Sequence, residues 1–380
     1  MPYESAGERA IAPDIGLSPL SYRQANALIG SLIPLLAVGI AYQISQPLST
    51  SRRWLFALLG GLFVAVDGLF VTESRYALLN VHTVFLGLLG HWLWLWGVLL
   101  PKKHSRKQIL QQLFAGIALG SAIAVKWNGL GFLLSLVLWE VWRTVRTRQT
   151  IKPISIIQTL AFLVLVPTLA YCLLWWPHLR LTQENLFLLH SRLFTFHQQI
   201  GTGGHSACSK WFTWPLLIKP ITYWYETIGP KSYTVSNLGN PPLWFLANSA
   251  ICLLFAHALA RLKTWLTDGT STNLYTGKPK PGEMVGAYLL ICYVANWLPW
   301  IGISRCTFNY LYMPAAVYSF VALAWLLSGW LSKNSRLTKI AAWIVIGLIA
   351  IAFLFWLPLA LGLPLSPHSL QMRWWLKSWI

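Results

Sequence analysis

About ten apolar runs follow one another along the 380-residue chain, and short polar segments separate most of them. The hydrocarbon core of a bilayer is about 30 Å thick, and a helix needs roughly 20 apolar residues to cross it. Hydrophobic residues make up 56% of the sequence and charged residues only 10%, whereas soluble domains are about 25% charged. The sequence therefore predicts an all-α integral membrane protein and excludes a disordered chain and an ordinary soluble enzyme.

The hydropathy pattern predicts a bundle of about ten transmembrane helices. We place them near residues 26–44, 54–72, 77–99, 109–125, 129–142, 156–176, 242–260, 284–303, 307–331 and 339–361. The predicted organisation is a polar N-terminal lead-in at 1–25, helices one to six at 26–176, a large loop at 177–241, helices seven to ten at 242–361, and an interfacial tail at 362–380. The lead-in carries Glu4, Glu8 and Asp14, so it is not predicted to be a signal peptide.

The net charge of +19 does not indicate a nucleic-acid partner, because the basic residues cluster in short loops between apolar runs. Loops after the odd-numbered helices hold most of them: Arg52, Arg53, Lys102, Lys103, Arg106, Lys107, Arg143, Arg146, Arg148, Lys152, Arg261, Lys263, Lys278, Lys280, Lys333, Arg336 and Lys339. Short loops rich in Lys and Arg face the cytoplasm. We therefore expect the lead-in, the loop 177–241 and the tail 362–380 to face the exterior.

Cysteine spacing and nucleotide motifs are both uninformative in this chain. Its five cysteines include no C-x-x-C pair, so the sequence predicts neither a disulfide framework nor a metal site. Cys172, Cys252 and Cys292 lie within apolar runs, where cysteine usually acts as a small core side chain. The sequence contains no Walker loop and no G-x-G-x-x-G opening a helix, so a soluble nucleotide site is not predicted.

Five ionisable residues are predicted to meet at the outer face of the membrane: Asp67, Glu73, Arg75, Lys126 and Arg305. Charges at membrane depth are costly and usually mark function. The exterior side of a membrane protein usually carries few Lys and Arg residues. Three cations there indicate an anionic ligand such as a lipid phosphate, which Arg can bind with two N–H groups. The alternative is a structural pair of Asp67 or Glu73 with Arg75, with Lys126 and Arg305 reaching toward the interface.

The loop 177–241 is rich in histidine and aromatic residues. His190 and His197 are seven residues apart and would share one face of a helix. Their spacing is too loose to predict a metal site, which would need further ligands. We assign His190, His197, Glu226 and Trp214 as candidate acceptor-binding or sugar-binding residues, and the alternative for the aromatic side chains is anchoring at the membrane interface.

Several motifs in order resemble the dolichyl- or polyprenyl-phosphate-mannose-dependent protein O-mannosyltransferases. They are VDGLFVTESRYALLN (66–80), GIALGSAIAVKWNGLGFLL (116–134), HSRLFTFH (190–197), SKWFTWPLLIKPITYWYE (209–226), LGNPPLWFLANSA (238–250) and YVANWLPWIGISRCTFNYLYMPA (293–315). The loop 177–241 is too short for the β-trefoil insertion of the eukaryotic members, so the chain is similar to the bacterial form. The resemblance implies a GT-C-type membrane glycosyltransferase.

The resemblance also implies a reaction in which mannose moves from a lipid phosphate to Ser or Thr of a protein, with inversion of the anomeric centre. The leaving phosphate needs positive charge, and by motif position Arg75 is the first candidate, Arg305 the second and Lys126 the third. The acceptor hydroxyl needs a carboxylate base. The family carries this base in an Asp-Glu loop after a first helix, both of which we expect to be missing here, and Asp67 and Glu73 are only weak substitutes.

Two alternatives remain open from the sequence. One is a related lipid-phosphate-sugar transferase that acts on a glycolipid, and the other is a truncated, non-catalytic homologue or subunit. The expected partners are the lipid-phosphate sugar donor, a secreted or membrane protein acceptor, and either a second copy or a chain that supplies the missing segment. No covalently bound cofactor is expected, and the residues do not indicate whether a divalent metal is needed. We expect a plasma-membrane protein whose active site faces the exterior or periplasm.

Overall fold

The computed structural model describes residues 18–46, 48–98, 105–147, 153–199, 205–267 and 280–379. Several residues used in the sequence analysis therefore lie outside the described residues: Glu4, Glu8, Asp14, Lys102, Lys103, Arg148, Lys152 and Lys278.

Helices dominate the described chain. The first half contains α1 (Pro19–Ile44), α2 (Thr50–Ala65), α3 (Gly68–Arg75), α4 (Asn80–Val98), α5 (Arg106–Val125), α6 (Leu130–Thr147), α7 (Pro153–Leu160) and α8 (Val166–Thr182). The second half contains α9 (Leu186–Gln199), α10 (Pro241–Thr267), α11 (Pro281–Trp297), α12 (Met313–Leu331), α13 (Arg336–Leu361) and the short α14 (Pro367–Gln371). A π-helical segment, Ala161–Leu165, joins α7 to α8. The first helix thus begins earlier than the predicted residue 26.

Eight helices of the described chain are long and apolar enough to cross a membrane, and the bent pair α2–α3 makes a ninth. The predicted fifth span exists as helix α6, which falls outside that set because its 18 residues include Glu140, Arg143 and Arg146. The predicted all-α membrane bundle of about ten helices is therefore confirmed. The predicted span 54–72 corresponds to a bent pair of helices, because the chain turns by 59° between α2 and α3, where Asp67 caps α3.

Helix α12 forms the centre of the bundle, and 94% of its membrane-length window is buried. It packs against α2, α10 and α11. A second group of helices packs as α4 on α5 and α5 on α8. The absence of side chains at Gly116 and Gly120 allows the latter approach, because a Cβ on Gly120 would lie 2.3 Å from the Pro167 carbonyl oxygen. The space beside α6 in this second group contains the cavity described below.

The described residues of the region 177–241 form several elements of secondary structure. Helix α8 continues to Thr182, and α9 follows it. A 3-10 helix (Trp211–Leu216) then precedes an antiparallel hairpin of β1 (Thr222–Ile228) and β2 (Lys231–Ser236). The hairpin turn contains Gly229 at φ +57°, a conformation that glycine adopts without a steric penalty. This small sheet is held against the bundle by the bridge between Ser232 and Leu365.

A disulfide joins Cys208 to Cys306, so the prediction of no disulfide is wrong. The two cysteines are separated by 98 positions, and no local spacing pattern reports a pair that only the fold brings together. Among the other cysteines, Cys292 is buried as predicted, Cys172 is partly buried, and Cys252 is exposed on the surface of the bundle rather than in its core.

Candidate functional site

A cavity of about 830 Å³ lies between α6, α8, α9 and the end of α11. Its walls are mostly apolar and include Leu130, Leu133, Leu134, Val137, Leu163 and Val164. Polar and charged side chains also line it: Lys126, Asn128, Trp175, His197, Asn296 and Arg305. The space therefore suits a ligand that has both a long apolar part and an anionic or hydroxylated part.

Lys126 is placed by the end of α5, where the chain turns to extended backbone before the 3-10 turn Trp127–Gly129. Its ammonium donates to Asn80 Oδ1 at 2.8 Å and lies 4.6 Å from the centre of the Tyr310 ring. Burial lowers the pKa of Lys126 to about 8, with the Glu73 carboxylate raising it and the Arg305 charge lowering it. Lys126 is therefore mostly charged at neutral pH.

Glu73 is the fully buried carboxylate next to this lysine. It accepts hydrogen bonds from Asn80 Nδ2 at 2.8 Å, from the Tyr223 hydroxyl, and from Asn237 Nδ2 at 3.2 Å. The carboxylate and burial raise the pKa of Tyr223, so its hydroxyl stays protonated and donates. Three donors on a buried carboxylate hold it in place.

Arg305 lies in the segment 303–308, between the 3-10 turns Leu298–Gly302 and Asn309–Tyr312. It lines the cavity with Lys126, and its Nη1 donates to the carbonyl of the adjacent Cys306 at 3.2 Å. No acidic side chain of the described residues forms a salt bridge with Arg305. Most of its N–H groups therefore remain available to an anionic ligand.

Helix α9 carries both histidines that were predicted as site residues, and their side chains have different contacts. His190 Nδ1 donates to the Leu186 carbonyl at 2.6 Å, and Nε2 accepts from the Tyr171 hydroxyl. The bond with Tyr171 anchors α9 to α8. His197 lies seven residues further along the helix. Its ring is 5.5 Å from the Trp127 ring, and the side chain lines the cavity. Burial and the charges of Arg305 and Lys126 lower the pKa of His197, so its imidazole is neutral at pH 7.

Four polar atoms on the cavity wall have no hydrogen-bond partner within the described ranges: Asn128 Oδ1, Trp175 Nε1, His197 Nδ1 and Asn296 Oδ1. Asn296 is only 4% exposed, and a buried polar atom without a partner is costly. Its Nδ2 is used by the Cys292 carbonyl at 2.9 Å, which leaves Oδ1 as an acceptor. Such a set of donors and acceptors fits the hydroxyl groups of a ligand.

Four other predicted site residues lie apart from the cavity lining. Asp67 is fully buried and accepts from the Leu69 and Phe70 amides, the Asn240 amide and the Trp244 indole, so it joins α3 to α10. Arg75 is exposed and donates to the Ala360 carbonyl at 2.6 Å. Trp214 is buried, with its indole N–H bonded to Ser209, and presents no face for stacking. Glu226 lies on β1 opposite Tyr233.

The predicted pairing of Arg75 with Asp67 or Glu73 is not present among the salt bridges of the described residues. Nor does the described part of the chain contain a group of three His, Cys, Asp or Glu side chains arranged to hold a metal ion. Sequence reasoning missed the amide side chains that organise the site, namely Asn80, Asn128, Asn237 and Asn296. Asn80, Asn128 and Asn296 lie inside quoted motifs, but neutral residues gave no reason to single them out.

Comparison with known proteins identifies similar sequences and folds. A family model described as dolichyl-phosphate-mannose-protein mannosyltransferase matches residues 13–182, and one described as the C-terminal four TMM region of protein-O-mannosyltransferase matches residues 182–379. Polyprenol-phosphate-mannose–protein mannosyltransferases of Corynebacterium glutamicum and Mycolicibacterium smegmatis are each 22% identical, over 96% of this chain and 78% of the relative.

Two solved structures share the fold. The Saccharomyces cerevisiae protein O-mannosyltransferase Pmt1–Pmt2 complex bound to the sugar donor superposes with a TM-score of 0.79 at 15% identity, over 95% of this chain and 81% of that one. ArnT from Cupriavidus metallidurans bound to undecaprenyl phosphate gives a TM-score of 0.53 at 18% identity, over 93% and 53% of the two chains. At these identities the likeness concerns the fold alone.

Proposed function

This chain belongs to the protein O-mannosyltransferase family, and we propose on that basis that it transfers mannose from a polyprenyl-phosphate-linked donor to Ser or Thr hydroxyls of an acceptor protein. One observation carries the proposal: Lys126 and Arg305 line the same cavity as a wall of aliphatic side chains. A polyprenyl-phosphate sugar divides in the same way, into an apolar chain, one negative charge and a hydroxylated ring.

Lys126 and Arg305 are assigned to the donor phosphate. As the bond between the sugar C1 and the phosphate oxygen breaks, negative charge grows on the departing phosphate, and fixed cations stabilise that charge. Arg305 can offer two parallel N–H groups and Lys126 a compact ammonium. Arg75, the first candidate from the sequence, does not line the cavity and donates to the Ala360 carbonyl, so its binding of the phosphate stays a prediction.

The sugar ring is assigned to the unpartnered polar atoms of the cavity wall. Asn296 Oδ1 and His197 Nδ1 have no hydrogen-bond partner within the described ranges and can bind sugar hydroxyls. The proposal gives Asn128 and Trp175 the same task from the other side of the lining. Of the acceptor and sugar residues suggested by the sequence, His197 is kept for direct contact, and His190 is kept as the anchor of the helix that carries it.

The described residues are assigned the donor half of the reaction. No carboxylate of the described chain lines the cavity, and Asp67 and Glu73 are both occupied by hydrogen bonds from their neighbours. Glu73 is therefore proposed to position Lys126 rather than to take the proton of the acceptor hydroxyl. The base that takes this proton is not assigned to any of them.

The protein is a multi-pass membrane protein, and we place the cavity on the exterior side of the plasma membrane. The Cys208–Cys306 disulfide supports this side, because disulfides persist outside the cytosol. The clustering of Lys and Arg in the loops after the first, third, fifth, seventh and ninth predicted spans supports the same orientation. A secreted or membrane protein would then present its hydroxyl from the exterior. The yeast structure is a Pmt1–Pmt2 complex, so a dimer is the assembly to look for.

The proposal is tested with the purified protein in liposomes, a polyprenyl-phosphate donor with radiolabelled mannose, and a Ser/Thr-containing peptide. Arg305→Ala and Lys126→Ala should each raise the donor KM about 10- to 100-fold, since a charge-assisted hydrogen bond contributes about 1.5–3 kcal/mol. Arg192→Ala is the control, because Arg192 pairs with Glu184 and does not line the cavity. Unchanged donor KM in both cavity variants contradicts the proposed donor site.

A further inference from the structure

The disulfide between Cys208 and Cys306 lies directly beside Arg305. Cys306 follows Arg305 in the chain, and its carbonyl accepts a hydrogen bond from Arg305 Nη1 at 3.2 Å. Cys208 belongs to the segment that leads into the 3-10 helix Trp211–Leu216. The cross-link therefore restrains the backbone that carries one of the proposed phosphate ligands.

The segment 303–308 has no helix or strand of its own. It is tied to the neighbouring segment where the Ser209 amide donates to the Thr307 carbonyl at 2.8 Å and the Thr307 hydroxyl donates to the Ser209 carbonyl at 2.6 Å. The rings of His205 and Phe308 also lie 5.5 Å apart. The two hydrogen bonds and the disulfide are adjacent in both segments. We call Cys208, Ser209, Cys306 and Thr307 the clasp.

We propose that the Cys208–Cys306 disulfide is a positioning element of the donor site, which holds the Arg305 backbone so that the guanidinium faces the cavity. This inference rests on the proposed function. An arginine side chain loses much conformational freedom when it binds a ligand, and a backbone that is already fixed reduces the ordering that binding requires. Loss of the disulfide should then weaken donor binding in protein that remains folded.

Contacts next to the clasp keep the fold together without the cross-link. The Trp214 indole donates to Ser209 Oγ at 3.0 Å, and the Trp297 indole donates to the Trp211 carbonyl at 3.1 Å. The rings of Trp214 and Trp300 lie 5.4 Å apart. These contacts hold the segment 209–214 on the end of α11, so the freedom gained on losing the disulfide falls mainly on 303–308.

The test compares four proteins in detergent or liposomes, with polyprenyl phosphate as the ligand. They are wild type, the Cys208→Ser/Cys306→Ser variant, Arg305→Ala, and the triple variant that combines all three changes. We expect the serine pair to raise the dissociation constant about tenfold, which corresponds to about 1.4 kcal/mol, at a temperature at which each variant stays folded. The triple variant should bind like Arg305→Ala, because two changes that act through one contact are not additive.

Cys252→Ser is the matched control, since Cys252 is an exposed free cysteine on α10 and should leave binding unchanged. The inference is wrong if the serine pair binds like wild type, or if the triple variant binds a further tenfold more weakly than Arg305→Ala. If Arg305→Ala binds like wild type, the proposed donor site itself is contradicted. A weakened Arg305→Ala beside an unaffected serine pair overturns only the positioning role.

A second measurement covers the case in which the serine pair fails to insert. A dithiol such as dithiothreitol supplies two electrons and two protons, so that Cys208 and Cys306 become thiols and the reagent becomes a cyclic disulfide. Alkylation and mass spectrometry then count the new thiols against the free Cys172, Cys252 and Cys292. The folded, reduced protein should show the same loss of affinity, and reoxidation should reverse it. Unchanged affinity after verified reduction contradicts the inference.

Discussion

Lys126 and Glu73 are joined through a single amide, that of Asn80. The lysine ammonium donates to Asn80 Oδ1 at 2.8 Å, and Asn80 Nδ2 donates to Glu73 at 2.8 Å. The amide can serve both residues because one end accepts and the other donates. A carboxylate therefore compensates the buried cation without direct contact, and the ammonium keeps N–H groups free for an anionic ligand.

Donor binding is expected to weaken as the pH rises through about 8. Burial lowers the pKa of Lys126 to about 8, and a phosphate binds the charged ammonium, so affinity is full below this pH and declines above it. The donor KM is measured from about pH 6.5 to about pH 9.5, a range in which a phosphate diester does not titrate. Lys126→Arg should remove the rise, because arginine stays charged throughout. The same rise of the donor KM in wild type and in Lys126→Arg would contradict the binding of the phosphate by Lys126.

Glu73→Gln should move that pH dependence to lower pH. The carboxylate raises the pKa of Lys126 against the effect of burial, so its loss leaves a smaller charged fraction at neutral pH. We expect a donor KM about fivefold higher near pH 7.5 and little change near pH 6. Glu184→Gln is the control for loss of one carboxylate, because Glu184 pairs with Arg192 and does not line the cavity. An unchanged pH midpoint in Glu73→Gln contradicts the coupling through Asn80.

Asp67→Asn is expected to reduce stability and to spare donor binding. Asp67 accepts from two amides of α3 and from the Asn240 amide and Trp244 indole of the facing segment. An asparagine would place its own N–H groups against some of these donors, at a cost of about 2–4 kcal/mol. Thermal unfolding and the donor KM of the surviving protein are measured together. A large fall in kcat at unchanged stability would indicate instead that Asp67 is the catalytic base.

Leu134→Trp should block the apolar part of the cavity. Leu134 lines it, so a larger ring there competes with the prenyl chain, and we expect the KM of a long-chain donor to rise about tenfold, or about 1.4 kcal/mol. A donor with a short prenyl chain should be much less affected. Leu138→Trp is the matched control, because Leu138 is exposed on the same helix and does not line the cavity. An equal rise of the donor KM in the two variants would indicate that the prenyl chain binds outside this cavity.

Local sequence properties were sufficient for the fold class and for part of the site. Runs of about 20 apolar residues require helices, because backbone polar groups cannot stay unpaired in lipid. The cost of charge near the membrane singled out Lys126 and Arg305, and the structure brings both to one cavity. The same reasoning selected Asp67 as readily, although its four hydrogen bonds tie helices together.

The membrane helices, their approximate bounds and the charges at an unfavourable depth could be predicted, since each depends on neighbouring residues along the chain. Which of these charges meet depends on the tertiary structure. Four features join segments far apart in sequence: the bonds of Asp67 to Asn240 and Trp244, the Asn80 bridge, the Cys208–Cys306 disulfide and the placement of Arg75 against α13. Such contacts follow from how the helices pack, and no local pattern encodes them.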